Sequence, residues 1–148
     1  MTPASLTGEL ERLLPGRDWA LDLRALTRMV QWACREFFNG SFDSALRVPS
    51  VRVGIPDHWS CTRARGALGY CSPDGLSIYL SLRMMVRGGR LVTFDSALHE
   101  VVHSMLIQST GDDSHGPAFR SEARYLSPHI GLPDDTDIDA AYWPTRTP

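Results

Sequence analysis

Phe94-Asp95-Ser96-Ala97-Leu98-His99-Glu100-Val101-Val102-His103-Ser104-Met105-Leu106-Ile107-Gln108 is the stretch around which the rest of the chain can be ordered. Leu98, Val101, Val102 and Met105 recur at the spacing of one helix face, which predicts a helix over 94–109. His99, Glu100 and His103 fall inside it as an H-E-x-x-H match. Two histidines four apart leave a helix on the same side, ~6 Å from one another. Imidazoles so placed can both reach one tetrahedral Zn²⁺ ion at about 2.0–2.1 Å. The glutamate beside the first can reach a metal-activated water as general base. Histidines on a helix are also found as ordinary half-buried residues. Here both x positions are apolar, Val101 and Val102, as a buried active-site helix requires.

A catalytic zinc needs a third protein ligand and an open fourth position. Leu106 stands where the metzincin spacing calls for glycine, which excludes that pattern. Gly111-Asp112-Asp113-Ser114 breaks the helix, and His115-Gly116 leads into Pro117, which suits the first turn of a last helix over 117–126. His115 is the best-placed third ligand. His129, Glu122 and the pair Asp112 and Asp113 stay open as alternatives. Thr93 or Asp95 is expected to cap the helix, and Asp95 has a second candidate role in orienting His99 or His103. His58 reads as a loop histidine. Tyr70, Tyr79 and Tyr125 read as packing aromatics, any of which could donate to an oxyanion.

At 148 residues the chain is expected to form one domain with a real core. A hydrophobic content of 43% with 22% charged residues is that of an ordinary globular protein. A formal charge of −2 gives no global attraction to nucleic acid or an anionic membrane. All 15 basic residues are arginine, and Arg63, Arg65, Arg83, Arg87 and Arg90 form a candidate DNA-contacting patch. The plainer reading of these arginines is solvated loop charge. Cys34, Cys61 and Cys71 contain no C-x-x-C pair, so neither a disulfide framework nor a zinc ribbon is expected. Cys34, in a helix pattern, reads as a small buried residue. No basic-then-apolar leader opens the chain and no run approaches the ~20 apolar residues that span a bilayer. A cytoplasmic location is expected, nucleoid-associated or nuclear if DNA is required.

Residues 1–20 are expected to be a polar lead-in with room for a short helical turn around Leu6 to Leu14, closed by Pro15-Gly16. A helix is predicted from about Leu21 to Asn39, with Leu23, Leu26, Ala33 and Phe37 on one face and a stop at Gly40. Val51-Arg52-Val53 reads as a brief strand. Gly66 to Cys71 and Leu76 to Ser81 flank Pro73-Asp74-Gly75, a hairpin signal. Residues 82–92, basic and rich in glycine, read as a connection. The tail 127–148 holds four prolines and four aspartates and is expected to lie extended.

These segments resemble the SprT-like metallopeptidases, the group that includes the Spartan proteases of DNA–protein crosslink repair. The resemblance covers about residues 26–126. Leu98-His99-Glu100-Val101-Val102-His103 is similar to that family's catalytic helix, and His115-Gly116-Pro117-Ala118-Phe119 to its second short motif. Phe38 to Leu46, and Gly69 with Ser77 to Ser81, are similar to its segment after the first helix and its hairpin. The resemblance implies one Zn²⁺ ion held by His99, His103 and His115, with Glu100 catalytic. It implies an α+β, zincin-like domain over 21–126, its helices packed on a small antiparallel three-stranded sheet. An extended peptide would then lie along the sheet edge. The implied function is a zinc metalloendopeptidase, with DNA-bound or DNA-crosslinked proteins as candidate substrates. The alternative is a zinc-stabilised DNA- or protein-binding domain with little turnover. No cysteine follows Cys71, so the C-terminal zinc ribbon of many bacterial relatives is not expected.

Overall fold

Leu6, Leu10, Leu13 and Leu14 recur on one side of the first helix, α1 (Pro3–Leu13), and all four are buried in the core. The structure is a computed structural model and describes residues 2–38, 40–42, 45–55 and 69–130, without the side chains of residues 3 and 127–130. Thr2 starts α1 by accepting a hydrogen bond from the Ser5 amide at 3.1 Å, with Pro3 in the first turn. Each fully buried leucine is worth about 1.5–3 kcal/mol, enough to hold an 11-residue helix in place. This corrects the expected polar lead-in: residues 3–13 form a packed helix whose polar residues lie on its outer side.

A 3₁₀ turn (Trp19–Leu21) leads into α2 (Leu23–Phe37), where Asp22 accepts from the Ala25 amide at 3.0 Å. Leu26, Met29, Val30, Ala33, Cys34 and Phe37 are buried, and Leu23 is half exposed. Gly40 has φ 77°, as a chain reversal after the helix requires.

Three strands follow: β1 (Ser50–Gly54), β2 (Gly69–Cys71) and β3 (Ser77–Ser81), in spatial order β1-β3-β2. β2 and β3 form the expected hairpin, with Tyr70 opposite Tyr79. Asp74 fixes its turn, accepting from Ser72 Oγ at 2.6 Å and from the Leu76 amide at 2.9 Å. β1 lies parallel to β3, with Val51 beside Ile78 and Val53 beside Leu80. The sheet is therefore mixed, which corrects the antiparallel sheet expected. A tight turn forces antiparallel pairing only between β2 and β3. The long connection after β1 lets β2 pair on the far edge of β3, so that β3 comes back between them running the same way as β1.

The longest helix, α3 (Leu82–Thr110), begins directly after β3, with Ser81 Oγ accepting from the Met84 amide at 3.3 Å. The connection expected over 82–92 is thus mostly helical. Gly89, at φ 81° and ψ −173°, breaks it into two segments. Met84 and Met85 bury the first segment. Arg90 ties the break to the turn after α1: its Nε donates to the Leu14 carbonyl at 2.7 Å and its Nη2 to the Gly16 carbonyl at 2.8 Å. Its guanidinium also lies 5.3 Å from the Trp19 ring centre. Thr93 and Asp95 sit inside the second segment and are fully buried, so neither caps its start. α3 ends at Gly111, whose amide donates to the Leu106 and Ile107 carbonyls. α4 (Pro117–Ile130) extends past the expected end at 126 and buries Phe119, Ala123 and Leu126, at i, i+4 and i+7. Among the described residues the fold is α+β, four α-helices with a three-stranded mixed sheet. No described helix is long and apolar enough to cross a membrane.

Candidate metal centre

The second segment of α3 presents different chemistry on adjoining sides. Leu98, Val101, Val102 and Met105 enter the core. Glu100, Ser104 and Gln108, spaced by four, line the side that meets the hairpin. Ser104 Oγ donates to the Gly75 carbonyl at 2.5 Å. Gln108 exchanges two hydrogen bonds with the Arg47 backbone, at 2.9 and 2.8 Å. These bonds fasten the hairpin turn and the entry to β1 onto the helix. His99 and His103 line a third side, facing α4 and the 111–116 loop.

That loop returns His115 to the other two histidines. Asp112 shapes it by accepting from the Ser114 amide and hydroxyl at 2.9 and 2.6 Å. Arg120 Nη1 donates to the His115 carbonyl at 2.9 Å. His115 Nε2 stands 3.1 Å from His103 Nε2 and 3.1 Å from His99 Nε2. All three ligand atoms lie within 4.8 Å of one another. Nitrogens that share one tetrahedral zinc at about 2.0–2.1 Å stand about 3.3 Å apart, so the spacing fits a single ion. Hydrogen bonding explains it less well. An imidazole nitrogen either donates or accepts, so one Nε2 cannot pass a hydrogen-bond chain between the other two. The three histidines could hold a metal ion. His99 and His103 are buried and His115 is exposed, so the cluster opens to solvent on the loop side. Burial, and then the neighbouring His115, pull the His103 imidazole down to about 4, against a smaller upward pull from Asp113 and Asp112. His103 is therefore neutral at pH 7, with its lone pair available.

Glu100 is 4% exposed, and its Oε1 lies 3.8 Å from His99 Nε2. Gly69 of β2 sits against it. A Cβ at Gly69 would stand 3.1 Å from Glu100 Cγ, 3.2 Å from Glu100 Oε1 and 3.2 Å from the Tyr79 carbonyl oxygen. Cys71, two residues on and half-buried, has its thiol pushed up by burial first, then by the charges of Glu100 and Asp74. The edge strand β2 thus forms the wall beside the Glu100 carboxylate.

The structure brings together His99, His103, His115 and Glu100. Of the alternative third ligands, Asp112 is taken up by loop hydrogen bonds, and Glu122 lies on α4 outside the cluster. Asp95 is buried inside α3. Arg83 and Arg87 are exposed on the first segment of α3, and Arg90, half-buried, donates to the Leu14 and Gly16 carbonyls. His58, Cys61, Arg63, Arg65 and the tail aspartates lie outside the described residues, as does the side chain of His129. Sequence reasoning did not single out Gly69 or Phe119 as parts of the site. Phe119 closes the 115–119 motif, four residues after His115 in a helix start, which is the local signal for it.

The chain matches no protein-family model, no curated protein and no solved structure. The site therefore stands on its own geometry.

Proposed function

We propose that the protein is a zinc-dependent metalloendopeptidase. The observation that carries this reading is the convergence of three imidazole Nε2 atoms beside the buried Glu100 carboxylate. His99, His103 and His115 would hold the ion, which when bound supplies Lewis-acid polarisation of water and of the scissile carbonyl. Among the described residues the ligand set is three imidazoles, a composition found in catalytic zinc sites. Glu100 takes the proton of the attacking water on its carboxylate and delivers it to the leaving amine. Gly69 leaves the space this carboxylate occupies. β2 lies at the edge of the described sheet, so an extended peptide paired along it would run past Glu100. The same reading takes the domain as zincin-like and related to the SprT-like peptidases, on the motifs at 98–103 and 115–119. The proposal is peptide hydrolysis, with DNA-bound or DNA-crosslinked proteins as candidate substrates; Arg90, one of the five arginines of the candidate DNA-contacting patch, donates to the Leu14 and Gly16 carbonyls.

The test compares wild type with Glu100→Gln, measuring bound zinc by atomic emission and cleavage of an unfolded protein such as casein. Both should carry one zinc per chain, and the variant should lose roughly 10²–10⁴-fold in rate, the usual contribution of a general base. Undiminished cleavage by Glu100→Gln would refute the mechanism. Bound zinc with no cleavage by wild type would favour the zinc-stabilised binding domain.

A further inference from the structure

We infer that Phe119 is a positioning residue of the metal centre, a buried surface that sets the direction of all three imidazoles. The inference depends on the reading of His99, His103 and His115 as metal ligands. Phe119 is fully buried, and its ring centre lies 4.8 Å from His99, 4.5 Å from His103 and 5.0 Å from His115. The histidine rings stand 4.9, 5.0 and 4.7 Å from one another. The four rings therefore form a closed cluster in which each touches the other three.

The need for such a surface follows from the torsions involved. A helix fixes where an imidazole leaves the backbone. The final torsion of histidine is broad and nearly two-fold, so the helix does not choose which ring edge faces inward. Binding through Nε2 needs that edge chosen three times. A flat buried ring packed on all three narrows the choice, and edge-to-face contacts with its π face favour particular tilts. The tilt to His115 is near perpendicular, at 84°, and that to His103 is 36°. Phe119 is itself held firmly. It follows Pro117 in the first turn of α4, and Ala123 and Leu126 bury the same side of that helix. It also seals the inner side of the cluster with apolar surface, which lowers the local dielectric around a bound cation.

Phe94 supplies the matched control. It is as fully buried, and its ring packs on Trp32 at 5.8 Å and Phe37 at 6.3 Å. Phe119→Leu and Phe94→Leu remove the same flat ring from two parts of the core. Zinc affinity is measured by competition with a chromophoric chelator, ligand geometry by the visible spectrum of the Co²⁺-substituted protein, and stability by melting of the zinc-free form. Phe119→Leu should weaken zinc roughly 10–100-fold and alter the Co²⁺ bands, while Phe94→Leu leaves both near wild type at a comparable loss of melting temperature. Phe119→Met, an unbranched filler, is read beside them in case leucine leaves too large a void. Equal weakening by the Phe119 and Phe94 variants would reduce the effect to general stability and overturn the inference. Unchanged affinity and spectrum in the Phe119 variants would overturn it too. Wild type that binds neither Zn²⁺ nor Co²⁺ would remove the metal reading itself, and the inference with it.

Discussion

On one side of α3, Glu100, Ser104 and Gln108 meet the sheet through direct hydrogen bonds and close backbone contact. On the adjoining side His99 and His103 meet His115 and α4 through rings. The sheet side closes on itself, since its bonds run between groups already present in the chain. The histidine side brings three nitrogens together, and a shared cation could use all three lone pairs at once. Two tasks of one site are thus divided between two sides of one helix. In the proposed function the histidine side would hold the ion and the sheet side the base. Changes confined to one side should leave the other's task intact.

The largest effect should come from emptying the histidine side. Zinc at a thousand times its dissociation constant adds about 4 kcal/mol to stability, roughly 10 °C in melting temperature for a chain of this size. EDTA should remove that increment from wild type. His103→Ala should lack the increment from the start and show no further drop with EDTA. A melting temperature indifferent to chelator in wild type would break the comparison at its root, since the histidine side would then be complete without an ion.

Gly69→Ala tests the other side. The added Cβ would press on Glu100 Cγ and Oε1 and on the Tyr79 carbonyl at 3.1–3.2 Å, closer than ordinary contact. The flexible carboxylate can give way more easily than the backbone of β3, so Glu100 should move. A displacement of about 1 Å from the reacting position costs on the order of 10²-fold in rate. Peptide cleavage should fall by that amount while zinc affinity, by chelator competition, stays near wild type. Loss of zinc in step with activity would show that the two sides are not separable.

How far the sequence showed this division depends on how local each signal is. The hairpin was legible because Pro73-Asp74-Gly75 and the alternation of Leu76, Ile78 and Leu80 act within a few residues. His99 and His103 were legible because a helix fixes the geometry of residues four apart. His115 was only the best of several candidates, because its return depends on loop hydrogen bonds at Asp112 and Arg120 that composition does not specify. The parallel entry of β1 was hidden for a similar reason: pairing with β3 depends on the path of a long connection. Residues 82–92 misled because Gly88, Gly89 and the arginines imitate a loop. One left-handed residue, Gly89, is all that interrupts the helix, and Arg90 bridges that break to the turn after α1. Gly69 was invisible as a site residue because its meaning lies in what is packed against it.

Gln108→Ala should give the smallest effect, and it gives the sharpest test of where the boundary between the two sides falls. The change removes the bonds to the Arg47 backbone amide and carbonyl, one to Ser104 Oγ at 3.0 Å and a longer one, at 3.3 Å, to the Gly75 carbonyl. Water can reach the Arg47 groups, so the net loss should be about 1–2 kcal/mol, or ~4 °C in melting temperature. Ser104 still donates to the Gly75 carbonyl, so the hairpin turn should stay on the helix. Zinc affinity should not change, because Gln108 lies beyond the last histidine of α3 and on the other side. Activity should fall only as far as β2 shifts against Glu100. A variant that melts as predicted, binds zinc normally and cleaves at nearly the wild-type rate would place the positioning of Glu100 in the Gly69 contact itself. One that keeps zinc but loses cleavage as severely as Gly69→Ala would place it in the clamp that carries the whole sheet.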